Sequence, residues 1–168
     1  MTKLTESQIE EFAIGLLRKL DYEYIYGPDI APDGERPERG SFEEVILPER
    51  LLKAVRRINS SIPHDVQEEA IKTVARIASP DQLANNEEFH RLLTEGVPVL
   101  IHKEGAERGE RVWLVDFDHP ENNDFVVANQ FTVIENGHNK RPDIILFVNG
   151  LPLVVFELKN ATDEKATI

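Results

Sequence analysis

Apolar residues recur at helical spacing through the first half of the chain and at strand spacing through the second. Thr5-Glu6-Ser7-Gln8 reads as a capping box ahead of an apolar helical run. In that run Ile9, Ala13, Leu16 and Leu20 fall on one face, flanked by Phe12 and Leu17. Residues 21–46, rich in Gly, Pro and charge, predict a long loop. Leu51, Leu52, Val55 and Ile58 predict a second helix. Pro63 opens a third, carrying Val66, Ala70, Ile71, Val74 and Ile77 and stopping before Ser79-Pro80. A fourth is expected over 85–95, with Phe89, Leu92 and Leu93 inward and Gly96 ending it.

The period changes after Gly96. Val97–His102, Val112–Phe117, Phe125–Val133, Asp143–Val148 and Leu151–Leu158 are β-rich runs. Turns are expected over 104–110, 120–123 and 136–140. Helices first and an antiparallel meander afterwards predict an α+β or mixed α/β/α domain, one domain over 1–168. Thr162-Asp163-Glu164-Lys165 reads as a helix start three residues before the last position, so the chain is expected to be a fragment of something longer.

Composition narrows the function. No stretch approaches the roughly twenty apolar residues of a membrane span, and the N-terminus mixes charge into its apolar positions, unlike a signal peptide. The chain has no cysteine, which excludes disulfides and thiolate metal sites; a cytoplasmic location is the expectation. The net charge of −12 argues against a free-standing, high-affinity DNA binder, because phosphate contacts require clustered cations. It leaves room for a catalytic module whose DNA is held by something else.

The candidate chemistry lies in the last hairpin, RPDIILFVNGLPLVVFELK. Both strands are apolar on both faces, as expected for strands sandwiched between layers. Asp143, Glu157 and Lys159 sit at one end. A carboxylate at a buried strand end is costly unless paired or bound to metal. Two carboxylates and the Leu158 carbonyl suit Mg2+, and Lys159 could orient an attacking water, which is the equipment for phosphodiester hydrolysis. Glu10 could add an acid from the first helix. Against this stands a plainer reading: strand-end acids are often solvated, and Glu-x-Lys on an exposed edge is commonly a surface ion pair.

Register separates the two. A two-residue Asn149-Gly150 loop pairs Val148 with Leu151, sets Asp143 opposite Phe156 and leaves Glu157 on the wrong face. A three-residue loop, Val148-Asn149-Gly150, pairs Phe147 with Leu151 and puts Asp143 and Glu157 diagonally on one face. The metal site therefore predicts the three-residue turn or some other bulge.

The block RPDIILFVNGLPLVVFELKNA resembles the N-terminal nuclease domain of type I restriction endonuclease motor (R) subunits. So do TESQIEEFAIGLLRKLDYEY at the start, NQF at 129–131, the loop VDFDHPENNDF and the pair EGV…VLI from Glu95. The resemblance implies a PD-(D/E)xK restriction-endonuclease-like fold: a mixed, largely antiparallel central sheet flanked by helices. It implies Mg2+-dependent DNA cleavage with Asp143 and Glu157 as metal-binding acids and Lys159 as the catalytic lysine. It also implies an acid from the first helix, Glu10 by the family's spacing, with Glu6 second. Double-stranded DNA and the specificity and methyltransferase subunits would be the partners. ATP would be used only by motor modules that this chain does not contain, and the family's Gln-x-x-x-Tyr motif does not appear before Ile168.

Other features rank below this. Asp116, Asp118 and Asp124 around Asn122-Asn123 could hold a cation, but Asp and Asn are favoured in turns for their bonds to nearby backbone. Lys140 and Arg141, beside Asp143, could contact the phosphates of the scissile strand. Lys53, Arg56 and Arg57 read as a solvated helix face. The five histidines lack a tight pairing and read as surface or structural. The alternative of another class is a non-catalytic docking module with a nuclease-like fold, which would have no need of all three of Asp143, Glu157 and Lys159. An unrelated metabolic enzyme lacks support from any cofactor loop or nucleophile motif.

Overall fold

The computed structural model describes residues 5–77, 79–103 and 105–158. The elements run α1 (Glu6–Arg18), β1 (Glu23–Tyr26), a 3-10 turn (Gly27–Ile30), α2 (Pro48–Ile58), α3 (His64–Ala75), α4 (Gln82–Glu95), β2 (Val97–Lys103) and β3 (Ala106–Val112). A second 3-10 turn (Pro120–Asn122), β4 (Phe125–Asn129), β5 (Val133–Glu135), β6 (His138–Lys140), β7 (Ile144–Val148) and β8 (Leu151–Phe156) complete them. They form two compact units, Met1–Leu47 with Phe125–Ile168, and Pro48–Asp124. The expected helix start at 162–165 lies outside the described residues, as does Lys159.

The first unit carries a four-stranded sheet in the order β1-β4-β7-β8. β1 runs parallel to β4; the β4–β7 and β7–β8 pairs are antiparallel. The sheet is thus mixed and largely antiparallel, but it is not a simple meander. One face buries Ile25, Val126, Ala128, Ile145 and Phe147 with Ile30, Leu47 and Phe131. The other packs Val127, Ile144 and Leu146 against Ile14 of α1, with Ala13, Leu17, Tyr22 and Phe156 around them.

α1 begins as its sequence dictates. The Thr5 hydroxyl accepts the Gln8 N–H and the Gln8 side chain accepts the Thr5 N–H, closing the capping box. Its inward face differs from the expected one. Ala13, Ile14 and Leu17 meet the sheet, whereas Phe12, Leu16 and Leu20 are exposed. Two apolar stripes lie on this helix, and periodicity cannot say which one a sheet will cover.

The expected loop over 21–46 holds β1 and the first 3-10 turn, and its remainder is pinned by buried groups. Ile30, Ala31 and Leu47 are buried. So is Arg39, which donates to the carbonyls of Glu44 (2.9 Å) and Thr132 (2.6 Å) and lies 3.8 Å over the Phe131 ring. Gly27 is required where this segment crosses the end of β4: a Cβ there would come within 2.5 Å of the Asn129 carbonyl oxygen.

The second unit contains α2, α3, α4 and the β2–β3 hairpin, in which Lys103 pairs with Ala106. The segment expected as a turn over 104–110 is therefore largely strand, and the strand expected over 112–117 ends at Val112. β3 escapes the pattern because, among its first six residues, only Ala106 is apolar and all are exposed. α4 starts at Gln82 instead of 85, because Asp81 caps the amides of Leu83 (2.9 Å) and Ala84 (3.4 Å). Gly96 ends it at φ 76°. The run 125–133 likewise breaks: Gln130 adopts φ 54°, ending β4 at Asn129, and β5 pairs with β6 across Asn136-Gly137, where a longer turn is expected. Among the described residues, no helix is long and apolar enough to cross a membrane.

Candidate active site

The β7–β8 hairpin turns on two residues. Val148 pairs with Leu151, and Asn149 (φ 54°) and Gly150 (φ 80°) are both left-handed, as a type I′ turn requires. The three-residue turn is therefore incorrect; Asn-Gly is the sequence best suited to the tighter one. The register nevertheless shifts further along. Phe147 pairs with Pro152 and Leu146 with Val154, so Leu153 is an extra residue in β8. Pro152 accounts for the position, since proline has no N–H for the ladder and is confined to edge strands and bulges. Among the described residues β8 is such an edge strand. Val154 and Val155 are exposed, which corrects the expectation that both strands are covered on both faces.

Beyond the bulge Ile144 pairs with Phe156. Continued by one residue, that register sets Asp143 opposite Glu157. The Leu158 N–H donates to Asp143 Oδ2 at 2.6 Å, so the carboxylate takes the place of the next ladder acceptor and closes the strand end. Asp143 is half-buried and Glu157 exposed.

Glu10 does not join these two in a cluster. Among the described residues, no three Asp, Glu, His or Cys side chains converge as a metal-binding group. Glu10 Oε1 accepts the Asn129 side-chain N–H at 2.6 Å, and Asn129 Oδ1 accepts the Tyr24 hydroxyl at 3.1 Å. Asn129 pairs with Ile144, the neighbour of Asp143. Glu10, Asn129, Asp143 and Glu157 therefore lie at one end of the sheet, Glu10 and Asn129 on the face covered by α1, and Asp143 and Glu157, by alternation from Ile144 and Phe156, turned to the other. Glu6, the second choice, is exposed in the first turn. Burial, and next the Glu10 charge, push the Tyr24 hydroxyl above its ordinary pKa, so it remains a donor.

Neither Tyr24 nor Asn129 stands out by spacing or charge. Both lie in stretches that carry the family resemblance, DYEY and NQF, and that signal alone could have marked them.

The remaining candidates have structural partners. Asp116 accepts the amides of Asp118 (3.2 Å) and His119 (2.9 Å) and the Asn122 side chain (2.8 Å). The Asn122 bond, foremost, holds its carboxyl below the usual carboxylate range. Asp124 pairs with Arg50 at 2.9 Å. The second acidic group is thus a knotted turn, as the turn reading expects. Lys53 and Arg56 pair with Glu49 and Glu68, and Arg57 donates to the Asn122 carbonyl. Lys140 meets Glu135 at 2.6 Å on the exposed β5–β6 hairpin, and Arg141 is exposed.

Residues 3–168 match the family described as Type I restriction enzyme R protein N terminus. The chain is 40% identical over 166 residues to the type I restriction enzyme HindI endonuclease subunit of Haemophilus influenzae, covering 98% of this chain and 16% of that protein. It is 36% identical over 162 residues to the putative type I restriction enzyme MjaIXP endonuclease subunit of Methanocaldococcus jannaschii, covering 94% and 15%. It therefore spans less than a fifth of the length of either relative. With a mixed sheet, a helix-borne acid and the Asp143–Glu157 strand end in place, this chain belongs to the family of type I restriction enzyme R protein N-terminal regions.

Proposed function

We propose that the chain is the nuclease module of a type I restriction enzyme R subunit and hydrolyses DNA phosphodiester bonds with Mg2+. One observation carries the proposal: the Leu153 bulge brings Asp143 opposite Glu157, and Asp143 is bonded to the very next amide. A plain two-residue hairpin would have turned Glu157 away.

The donor set fits the ion. Asp143, Glu157 and the Leu158 carbonyl are hard oxygen donors, few enough to leave Mg2+ the water shell that it keeps in most proteins. When bound, the cation polarises the phosphoryl group and acidifies water. The Leu158 amide occupies Asp143 Oδ2, so Oδ1 would be the oxygen offered to the ion. Lys159, two positions after Glu157, would hold the attacking water or offset charge developing on the phosphate. Glu10, held by Asn129 on the face covered by α1, would hold the cation's waters instead of ligating it directly, so that its loss also weakens binding of the ion. Lys140 and Arg141 flank Asp143 and would meet the scissile strand's phosphates, Lys140 after leaving Glu135.

The net charge of −12 supports a division of labour in which the specificity and methyltransferase subunits hold and read the duplex, and ATP-driven modules elsewhere in the R subunit deliver it. The test uses the full-length protein in its complex on supercoiled DNA with Mg2+. Asp143→Ala and Lys159→Ala are expected to lower cleavage by at least about a hundredfold while ATP hydrolysis persists. Unchanged cleavage in both variants would overturn the proposal.

A further inference from the structure

Three side chains from three elements form a chain of directed hydrogen bonds at the active end of the sheet. Tyr24 projects from β1, Asn129 ends β4 and Glu10 comes from α1. The bonds run from the Tyr24 hydroxyl to Asn129 Oδ1 and from Asn129 Nδ2 to Glu10 Oε1. Their direction is chemically fixed. Turning the carboxamide over would set an oxygen against the Glu10 carboxylate, two acceptors with no proton between them. Only one orientation satisfies both neighbours, and the acceptor-only Glu10 carboxylate selects it; the Tyr24 hydroxyl then donates to the amide oxygen that this orientation turns towards it.

The placement is equally specific. Asn129 lies across the ladder from Ile144, so the amide that holds Glu10 is fixed to β7 at the residue that follows Asp143. The backbone there is held too, by the close pass of Gly27 and by the left-handed Gln130. Tyr24, Asn129 and Glu10 line an open cleft of about 540 Å3, so water reaches the carboxylate.

We propose that Asn129 and Tyr24 are positioning residues that aim the Glu10 carboxylate at the catalytic end of the sheet, Asn129 by donating to it and Tyr24 by anchoring the amide's oxygen so that the carboxamide stays in place. This rests on the nuclease reading of that end. Asn129 contributes a hydrogen bond to a charged group, so its loss should cost about tenfold in cleavage; the neutral, more exposed Tyr24 bond should cost about threefold.

The experiment is a double-mutant cycle in the full-length protein within its complex. Asn129→Ala, Tyr24→Phe and Glu10→Gln are compared singly, and the first two again in the Glu10→Gln background. Cleavage, ATP hydrolysis and the Mg2+ concentration for half-maximal cleavage are followed, with Mn2+ affinity read by electron paramagnetic resonance without DNA. The expected result has Asn129→Ala raising the Mg2+ requirement and lowering Mn2+ affinity by the same factor as Glu10→Gln. ATP hydrolysis is unchanged, and neither substitution has a further effect once Glu10 is Gln. If Glu10→Gln is impaired but Asn129→Ala cleaves normally, or if the effects multiply, the positioning role is overturned and the nuclease reading stands. If Glu10→Gln cleaves like wild type, the inference falls with its premise, while Asp143→Ala in parallel reports separately on the nuclease.

Discussion

Replacing Arg39 with methionine keeps most of the side chain's apolar stem and removes a buried cation. Arg39 is 4% exposed, and its guanidinium donates to two carbonyls and lies 3.8 Å above Phe131 and 5.4 Å from Phe42. Two hydrogen bonds from a charged group contribute about 1.5–3 kcal/mol each, and a desolvated cation–π contact about 2 kcal/mol. Desolvating the guanidinium opposes this by several kcal/mol, and Nε has no partner among the described residues. The variant escapes that penalty but leaves the Glu44 and Thr132 carbonyls without their donor, at about 1–3 kcal/mol each. The expected net loss is about 2–4 kcal/mol, measured by urea unfolding of the 168-residue chain. Hydrogen exchange should locate the loss. The amides of Glu38 and Ile134, bonded to the Ile30 and Phe42 carbonyls, should lose protection first. Unfolding at the wild-type urea concentration or above would show that Arg39 does not hold this segment, which would then rest on the burial of Ile30, Ala31 and Leu47 and on its backbone hydrogen bonds.

Gly27→Ala should destabilise the chain by about 1–3 kcal/mol, because the new Cβ meets backbone atoms of Asn129 and Phe131; an unshifted melting temperature would contradict the packing described. Gly150→Ala, at φ 80°, should cost about 1–2 kcal/mol and loosen the turn whose carbonyl accepts the Leu47 N–H. Asp116 provides a pH signature. Its folded-state carboxyl is held low, foremost by Asn122, so its contribution is complete above the unfolded value of about 3.9 and is lost as the pH falls through the depressed folded value. The melting-temperature gap between wild type and Asp116→Asn should therefore shrink from about pH 4 downward; a constant gap would refute the assignment.

Where the sequence carried local chemistry, the elements were legible. The Thr5–Gln8 box starts α1, Gly96 ends α4, and Asn149-Gly150 turns the hairpin. What escaped depends on partners distant along the chain. β1 is four residues long and exists because β4, about a hundred positions later, gives it a parallel neighbour. β3 is a strand because β2 pairs with it. The inward face of α1 was decided by the sheet. At the site, a shared face for Asp143 and Glu157 was legible as a demand for a bulge, with Glu157 expected diagonal to Asp143; the bulge's location was not, because it follows from Pro152, whose missing N–H counts only once β8 is paired. Asn129 and Tyr24 act through bonds that link residues more than a hundred positions apart, beyond any spacing rule.

The metal site proposed at the Asp143–Glu157 strand end has a direct crystallographic readout. Anomalous diffraction from crystals of the full-length protein soaked in Mn2+ tests it most directly. A peak is expected between the carboxylates of Asp143 and Glu157, within coordination distance of the Leu158 carbonyl, and is expected to vanish in Asp143→Ala. A peak confined to the Asp116 turn, or one at the strand end that survives Asp143→Ala, would contradict it.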